Sequence, residues 1–295
     1  MEIDPDRAIG CALPTQRWTW GADDVILYHL GLNIGGAAED LRGGAAENLR
    51  YLYEDDLVVL PSFGVLPALP VAAAFDQVPG MGFDRSGEVH GEHELTVHAD
   101  LPPAASVTTT GQVSAVHDKA GAAIVVLDTQ TRDDADRLLC ENRFTAFLRG
   151  AGNFGGTPGP RSSQPVPTGQ PDHVVRSPTS PTQALLYRLS GDKNPLHADP
   201  VAARQAGFPR PILHGLATFG VVLKAVVDAA LDGDLGVVGR YRARFAGVVY
   251  PGETIVTSIW RSDDGFAVAA VTAERGEPVL SHGLVTRRTK GQANA

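Results

Sequence analysis

Cysteine is nearly missing from this chain: Cys11 and Cys140 are its only two in 295 residues. They form no metal or redox spacing, which points to a reducing compartment. No run of about 18 apolar residues occurs, so nothing reads as a membrane span. Positive charge is in deficit, 25 Lys and Arg against 34 Asp and Glu, a net charge of −9. That balance argues against nucleic acid or an anionic membrane as the main partner, and any polyanionic ligand has to meet a local basic patch. Met1-Glu2-Ile3-Asp4-Pro5-Asp6 lacks the basic-then-apolar order of a signal peptide. Gln292-Ala293-Asn294-Ala295 is not a usual peroxisomal address. The expected location is cytoplasmic.

What is present is an ordinary globular composition, 43% apolar and 20% charged, long enough for one large domain or two smaller ones. Gly, Pro, Ser and Thr crowd the stretch from Gly150 to Pro181, which reads as a linker. The expected division is an N-terminal half over 1–150, a linker over 151–181 and a C-terminal half over 182–295. The halves look alike. Ile26-Leu27-Tyr28-His29-Leu30 parallels Leu185-Leu186-Tyr187-Arg188-Leu189, and Ser62-Phe63-Gly64-Val65-Leu66 parallels Thr218-Phe219-Gly220-Val221-Val222. Leu101-Pro102-Pro103 parallels Tyr250-Pro251-Gly252, and the common order of the three pairs indicates a degenerate duplication.

In the second half, Asp199-Pro200 reads as an N-cap with Pro at the first helical position, and Gly207 as the stop. Gly215 to Leu231 is apolar almost all round, the signature of a buried helix, and Gly233 ends it. Strand patterns follow at 237–247, 254–262, 266–274 and 278–288. A buried helix followed by an antiparallel sheet predicts a sheet wrapped around that helix, an α+β architecture. The first half has matching strand patterns at 88–98, 105–117, 122–131 and 137–148. Its helix counterpart, 60–75, carries Pro61, Pro67 and Pro70; interior proline costs a helix about 3 kcal/mol or more, so that helix is expected to be short or broken, opening space for a substrate.

The chemistry concentrates in Ser190-Gly191-Asp192-Lys193-Asn194-Pro195-Leu196-His197. Asp192, Asn194 and His197 put a carboxylate, an amide and an imidazole on one Pro-stiffened segment, where they can converge on one water. Adding water to a polarised double bond requires such a set. Further on, His214-Gly215 opens the long helix, where a backbone N–H can receive developing negative charge. His197 is suited to proton transfer near neutrality, Asn194 to fixing the water, and Asp192 is either an orienting base or a protonated carboxyl. The division of acid and base roles between Asp192 and His197 is open at this level. As a lone Asp–His pair these residues would read as an ordinary polar loop, and His214-Gly215 as a simple turn into a helix.

That segment, continued by Ala206-Gly207-Phe208-Pro209-Arg210-Pro211-Ile212-Leu213-His214-Gly215, resembles the MaoC-type, hydratase 2 family of (R)-specific 2-enoyl-CoA hydratases. Leu60-Pro61-Ser62-Phe63-Gly64-Val65, His90-Gly91-Glu92-His93, Asn153-Phe154-Gly155-Gly156, Arg244-Phe245 and Tyr250-Pro251-Gly252-Glu253 support the match along nearly the whole chain. The resemblance implies a double hot-dog fold, two antiparallel sheets each wrapped around a helix, the N-terminal helix degraded. It implies Asp192 and His197 as the catalytic pair, Asn194 between them and the Gly215 N–H as oxyanion donor. It places acyl-CoA contacts at His90, Gly91, Lys119 and Phe245; Lys193, Pro195, Leu196 and Arg210 are further expected substrate-binding residues. It implies an acyl-CoA substrate, no metal, no cofactor and a homodimer.

Each of these has a plainer reading. His90, His93 and His98 invite a metal site, but strand residues three or five apart face opposite sides. His90 and His98 share a face about 26 Å apart at roughly 3.3 Å per residue. Lys119 sits in a hairpin-like His117-Asp118-Lys119-Ala120-Gly121, a solvated tip by itself. Arg210, Arg240 and Arg242 are candidates for the CoA phosphates. Phe245 is by default a core residue. The expected activity is hydration of a 2-enoyl-CoA to an (R)-3-hydroxyacyl-CoA. The alternatives are a dehydratase acting on acyl-carrier-protein thioesters, a thioesterase, or a non-catalytic acyl-thioester binding subunit.

Overall fold

The computed structural model describes residues 3–36, 46–160 and 167–288. The expectations that rest on Met1 and Glu2, on 161–166 of the linker and on Gln292–Ala295 lie outside the described residues. Along the first half run α1 (Pro5–Ala8), β1 (Ala12–Trp20), α2 (Ala22–Gly31), α3 (Ala46–Leu49), α4 (Leu69–Ala73), β2 (Glu88–Val97), β3 (Ala105–Lys119), β4 (Ala122–Asp133) and β5 (Leu138–Arg149). The second half runs β6 (His173–Pro178), α5 (Gln183–Tyr187), α6 (Pro200–Gln205), α7 (Gly215–Ala230), β7 (Val238–Phe245), β8 (Thr254–Ser262), β9 (Gly265–Thr272) and β10 (Pro278–Arg287). Among the described residues no helix is long and apolar enough to cross a membrane.

All eight expected strands are present within a few residues of their expected ends. The expected helix over 60–75 is broken into a 3-10 turn at Pro61–Val65, the single turn of α4 and a second 3-10 turn at Ala74–Gln77. Pro70 sits in the first turn of α4, where a missing N–H is harmless. Two strands had no counterpart in the expectations, β1 and β6. Both are outermost in their strand order, and neither buries a regular face: β1 buries two of its nine residues and β6 none. β6 lies inside the segment read as linker, so 151–181 is not linker throughout; Pro178 ends the strand where no ladder bond is needed.

The compact units are not the linear halves. One gathers Met1–Trp18, Gly64–Ala99 and Ser106–Pro165; the other gathers Thr19–Phe63, Asp100–Ala105 and Val166–Ala295. In the first unit the strand order is β1-β3-β4-β5-β2, with the β3–β4, β4–β5 and β5–β2 pairs antiparallel, and α4 packs on β4. In the second the order is β7-β10-β9-β8-β6, again antiparallel. There α7 packs against all five strands, and eleven of its residues between Leu216 and Val227 are buried. This is the expected helix in a wrapped sheet. Gly233, at φ 74°, returns its N–H to Val227 O at 2.9 Å and closes the helix.

The second unit also takes up α2. Helices α2 and α5, the two segments paired by the internal repeat, pack on each other, with Tyr187 Cα 3.0 Å from where a Gly31 Cβ would stand. Gly220 of α7 admits Tyr28 and Leu32 of this N-terminal segment equally closely.

Candidate active site

Local side-chain chemistry shapes the polar segment before any packing acts on it. Gly191 takes φ 131° and breaks the 3-10 turn Arg188–Ser190, a conformation that a side chain would strain. The Asp192 carboxylate accepts from Asn194 N–H at 3.1 Å, and Asn194 Oδ1 accepts from Leu196 N–H at 3.0 Å. Pro195 starts the next 3-10 turn, Pro195–His197. Two successive Asx-type turns thus deliver His197 inward while Lys193, Asn194 and Pro195 stay exposed. Asp199 then caps α6, its carboxylate accepting from Val201 N–H at 2.7 Å.

His197 is 8% exposed, and its Nδ1–H donates to Ile212 O at 2.9 Å. A carbonyl only accepts, so Nε2 keeps its lone pair. The loop that supplies Ile212 is held by Leu213 N–H to Val249 O at 2.8 Å. It is also held by Arg210, which donates to Pro251 O and stacks over the Tyr250 ring at 4.8 Å. Tyr250 carries Arg275 at 5.1 Å as well, and Arg275 is clamped to the buried Glu253 carboxylate.

His214, buried at 1% exposure, completes the site; the sequence singles it out only as the residue before Gly215. Its ring stacks on His197 with centroids 3.7 Å apart at 28°. One ligating atom each of Asp192, His197 and His214 lies within 4.8 Å of the others. A single water making hydrogen bonds of about 2.8 Å spans roughly that distance. Asn194 is less free than expected: its Oδ1 is committed to the turn, leaving only Nδ2 for a water. The same trio has the composition of a metal site, but one nitrogen of each ring is already bonded to a backbone carbonyl and the stacked rings hold their remaining lone pairs in planes only 28° apart, whereas metal ligands must converge.

Burial lowers the His197 pKa below the ordinary value of 6.5, against the nearby Asp192 charge and the Ile212 hydrogen bond, which raise it. Burial and the neighbouring His197 push His214 down to about 2. Both imidazoles are therefore neutral at neutral pH.

Gly215 is the first residue of α7, so its N–H has no acceptor within the helix. A Cβ on Gly215 would meet the Phe245 ring at 3.3–3.6 Å. Phe245 is half-buried rather than core and stands as a wall beside that N–H. The structure thus gathers Asp192, His197, Gly215 and Phe245 in one unit, with Lys193, Asn194, Pro195, Leu196 and Arg210 on the same unit's loops.

The other unit holds His90, Gly91 and Lys119. The β2–β5 register shifts between His90 and Glu92. This bulge overturns the expectation that His90 and His93 face opposite sides: their rings meet at 5.3 Å, both against Phe144. An extra residue at Gly91 shifts the strand's alternation by one. His98 pairs with Glu141 at 2.8 Å. Lys119 follows Asp118, whose carboxylate accepts from the N–H groups of Asn153, Gly155 and Gly156 and so anchors the start of the connecting segment.

Two family profiles match the sequence, "MFE-2 hydratase 2 N-terminal domain" over residues 18–150 and "MaoC like domain" over 162–279. Enoyl-CoA hydratase ChsH3 of Mycobacterium tuberculosis is 41% identical over 291 residues, covering 96% of this chain and 98% of its own. The chain belongs to the MaoC-type hydratase 2 family. Its fold is that family's double hot-dog. The peroxisomal enoyl-CoA hydratase 2 of Arabidopsis thaliana is 37% identical, covering 95% of this chain and 94% of its own. The crystal structure of a MaoC-like dehydratase from Phytophthora Capsici superposes with a TM-score of 0.84 at 28% identity, covering 97% of this chain and 99% of that one. Family membership and fold were both expected from the sequence.

Proposed function

We propose that this hydratase 2 family member is a hydro-lyase that adds water to a trans-2-enoyl-CoA to give the (3R)-3-hydroxyacyl-CoA, and runs the reverse dehydration. Its place is in fatty-acyl or steroid side-chain β-oxidation, since relatives are named for enoyl-CoA hydration. The observation that carries the reading is the water-sized spacing of Asp192 and His197, shared with His214, whose next residue in sequence is the helix-terminal Gly215.

His197 Nε2 takes a proton from the water as its oxygen bonds to the β-carbon. The α-carbon gains one proton from the Asp192–His197 pair, so water is added without net proton loss. Charge on the thioester oxygen falls on the Gly215 N–H; one such donor is worth about 2.7–4 kcal/mol in the transition state. Asn194 Nδ2 steadies the water. His90, Gly91, Lys119 and Phe245, with Lys193, Pro195, Leu196 and Arg210, are proposed as acyl-CoA contacts, and the halves 1–150 and 182–295 as the substrate-accommodating and catalytic hot-dogs.

A homodimer and the cytoplasm are part of the proposal. The free thiols of Cys11 and Cys140 support a reducing compartment; light scattering and fractionation test the pair. The deciding experiment is loss of crotonyl-CoA absorbance with purified protein, followed by chiral analysis of the product. Release of free CoA, an (S)-product or no turnover at all contradicts the proposal. Turnover only of carrier-protein thioesters transfers it to the dehydratase alternative.

A further inference from the structure

We propose that His214 is a positioning residue that ties the two halves of the acid/base pair together. The inference rests on the roles given above to Asp192 and His197. Three contacts of one buried ring carry it. Its face lies on His197 at 3.7 Å and 28°. Its Nε2–H donates to the Asp192 main-chain O at 3.3 Å. It also meets the Tyr187 ring at 4.8 Å, tilted by 49°, and Tyr187 in turn packs on Tyr28. His214 therefore contacts the buried Tyr187 as well as the His197 imidazole, and touches both members of the pair.

The tautomer follows from the partner. A carbonyl oxygen accepts, so the proton of His214 is on Nε2. Its Nδ1 is buried and meets no hydrogen-bond partner among the described residues. The ring is then a neutral plate, and it does two separate jobs. As a plate it keeps water off one face of His197 and offers an electron-rich surface to the imidazolium that forms when His197 takes up a proton. As a donor it holds the Asp192 backbone, and so sets how far the carboxylate stands from His197 Nε2. The charged or titratable groups around the ring are Asp192, His197, Arg188 and Tyr187; Arg188 disfavours a charge on His214, which fits a permanently neutral role.

The two jobs separate in two variants. H214F keeps a plate and loses the donor; H214Q keeps a donor and loses the plate. Both are measured as full-length protein with crotonyl-CoA, for kcat, KM and the pH profile of kcat/KM, beside D192N and H197Q. Thermal unfolding corrects for the folded fraction. H214F should lower kcat about tenfold or more with KM within about threefold and the acid limb unmoved. H214Q should move the acid limb upward, toward the ordinary histidine value, because water reaches His197. If both variants keep kcat within about threefold and the limb stays put, His214 positions nothing. Losses that follow only the folded fraction make it a core residue and likewise overturn the inference. Near-wild-type turnover in D192N or H197Q removes instead the acid/base reading beneath it. Should the variants not fold, nitrogen-15 spectra of the wild-type histidines decide: a His214 that titrates near 6.5, or carries its proton on Nδ1, overturns the proposal.

Discussion

At the scale of single residues, burial favours neutral histidines, which bears on rate at the candidate site and on stability elsewhere. His197 is held below its ordinary pKa by burial, so it stays an acceptor as the solution becomes mildly acidic. The acid limb of kcat/KM is expected below pH 6.5, and a limb at or above that value contradicts His197 as the base. Asp192→Asn and His197→Gln are each expected to lower turnover by about 10²–10⁴ in folded protein, measured against the wild-type thermal transition. Gly215→Ala places a methyl group 3.3 Å from the Phe245 ring. It should cost about tenfold or more in kcat/KM by shifting the thioester, with little change in melting temperature; an undisturbed rate argues that nothing approaches that N–H.

His29 carries the stability side. Its Nδ1–H donates to Tyr51 O at 2.7 Å and its Nε2 accepts from Leu60 N–H at 3.2 Å, so both nitrogens are used by the neutral ring. Burial lowers its pKa to about 4. Unfolded, it binds a proton near 6.5, so between those values the unfolded chain takes up more protons and stability falls as pH drops. The loss is roughly 3 kcal/mol once pH is below 4 and absent above pH 6.5. Urea midpoints of wild type and His29→Gln across pH 7 to 4 check this; equal slopes in the two proteins refute it.

At the scale of elements, α7 is both the core of its sheet and the platform for Gly215, and glycine decides how closely other elements approach it. A Cβ on Gly220 would stand 2.8 Å from Tyr28 Oη and from a Leu32 methyl. Tyr28 is fixed by its bond to Ser62 Oγ at 2.8 Å and cannot retreat cheaply. Gly220→Ala gains about 1 kcal/mol of helix propensity but overpacks at a cost of about 1–3 kcal/mol. A net fall in melting temperature is expected, and a rise would show that this contact relaxes.

For the whole molecule, the sequence's two halves and the folded chain's two units divide the residues differently. The unit that holds the proposed acid/base set includes Thr19–Phe63; Tyr28 and Leu32 of the N-terminal half pack on Gly220 of α7, and Ser62 holds Tyr28. A fragment of 167–295 exposes the surface those residues cover. It is expected to lack cooperative unfolding and hydratase turnover; a stable, active fragment would show that the second half is self-sufficient. Net charge of −9 leaves the binding of a CoA polyanion to local cations.

Strands at 88–98, 105–117 and their repeats were legible because inward and outward residues alternate regularly, and α7 because its run is apolar all round. The polar segment proposed for acid/base work was legible because Asp192, Asn194, Pro195 and His197 shape their own turns. Edge strands β1 and β6 escaped because an edge with few buried residues leaves no pattern. The joint face of His90 and His93 depended on a bulge that one inserted residue creates between strands. His214 could not be read as more than a turn residue: its role depends on a ring stack across 17 positions of chain, and on a carbonyl brought to it by another element. Local hydrogen bonding and side-chain periodicity determined the pieces and their chemistry, and only long-range packing decided which neighbours keep the histidines neutral.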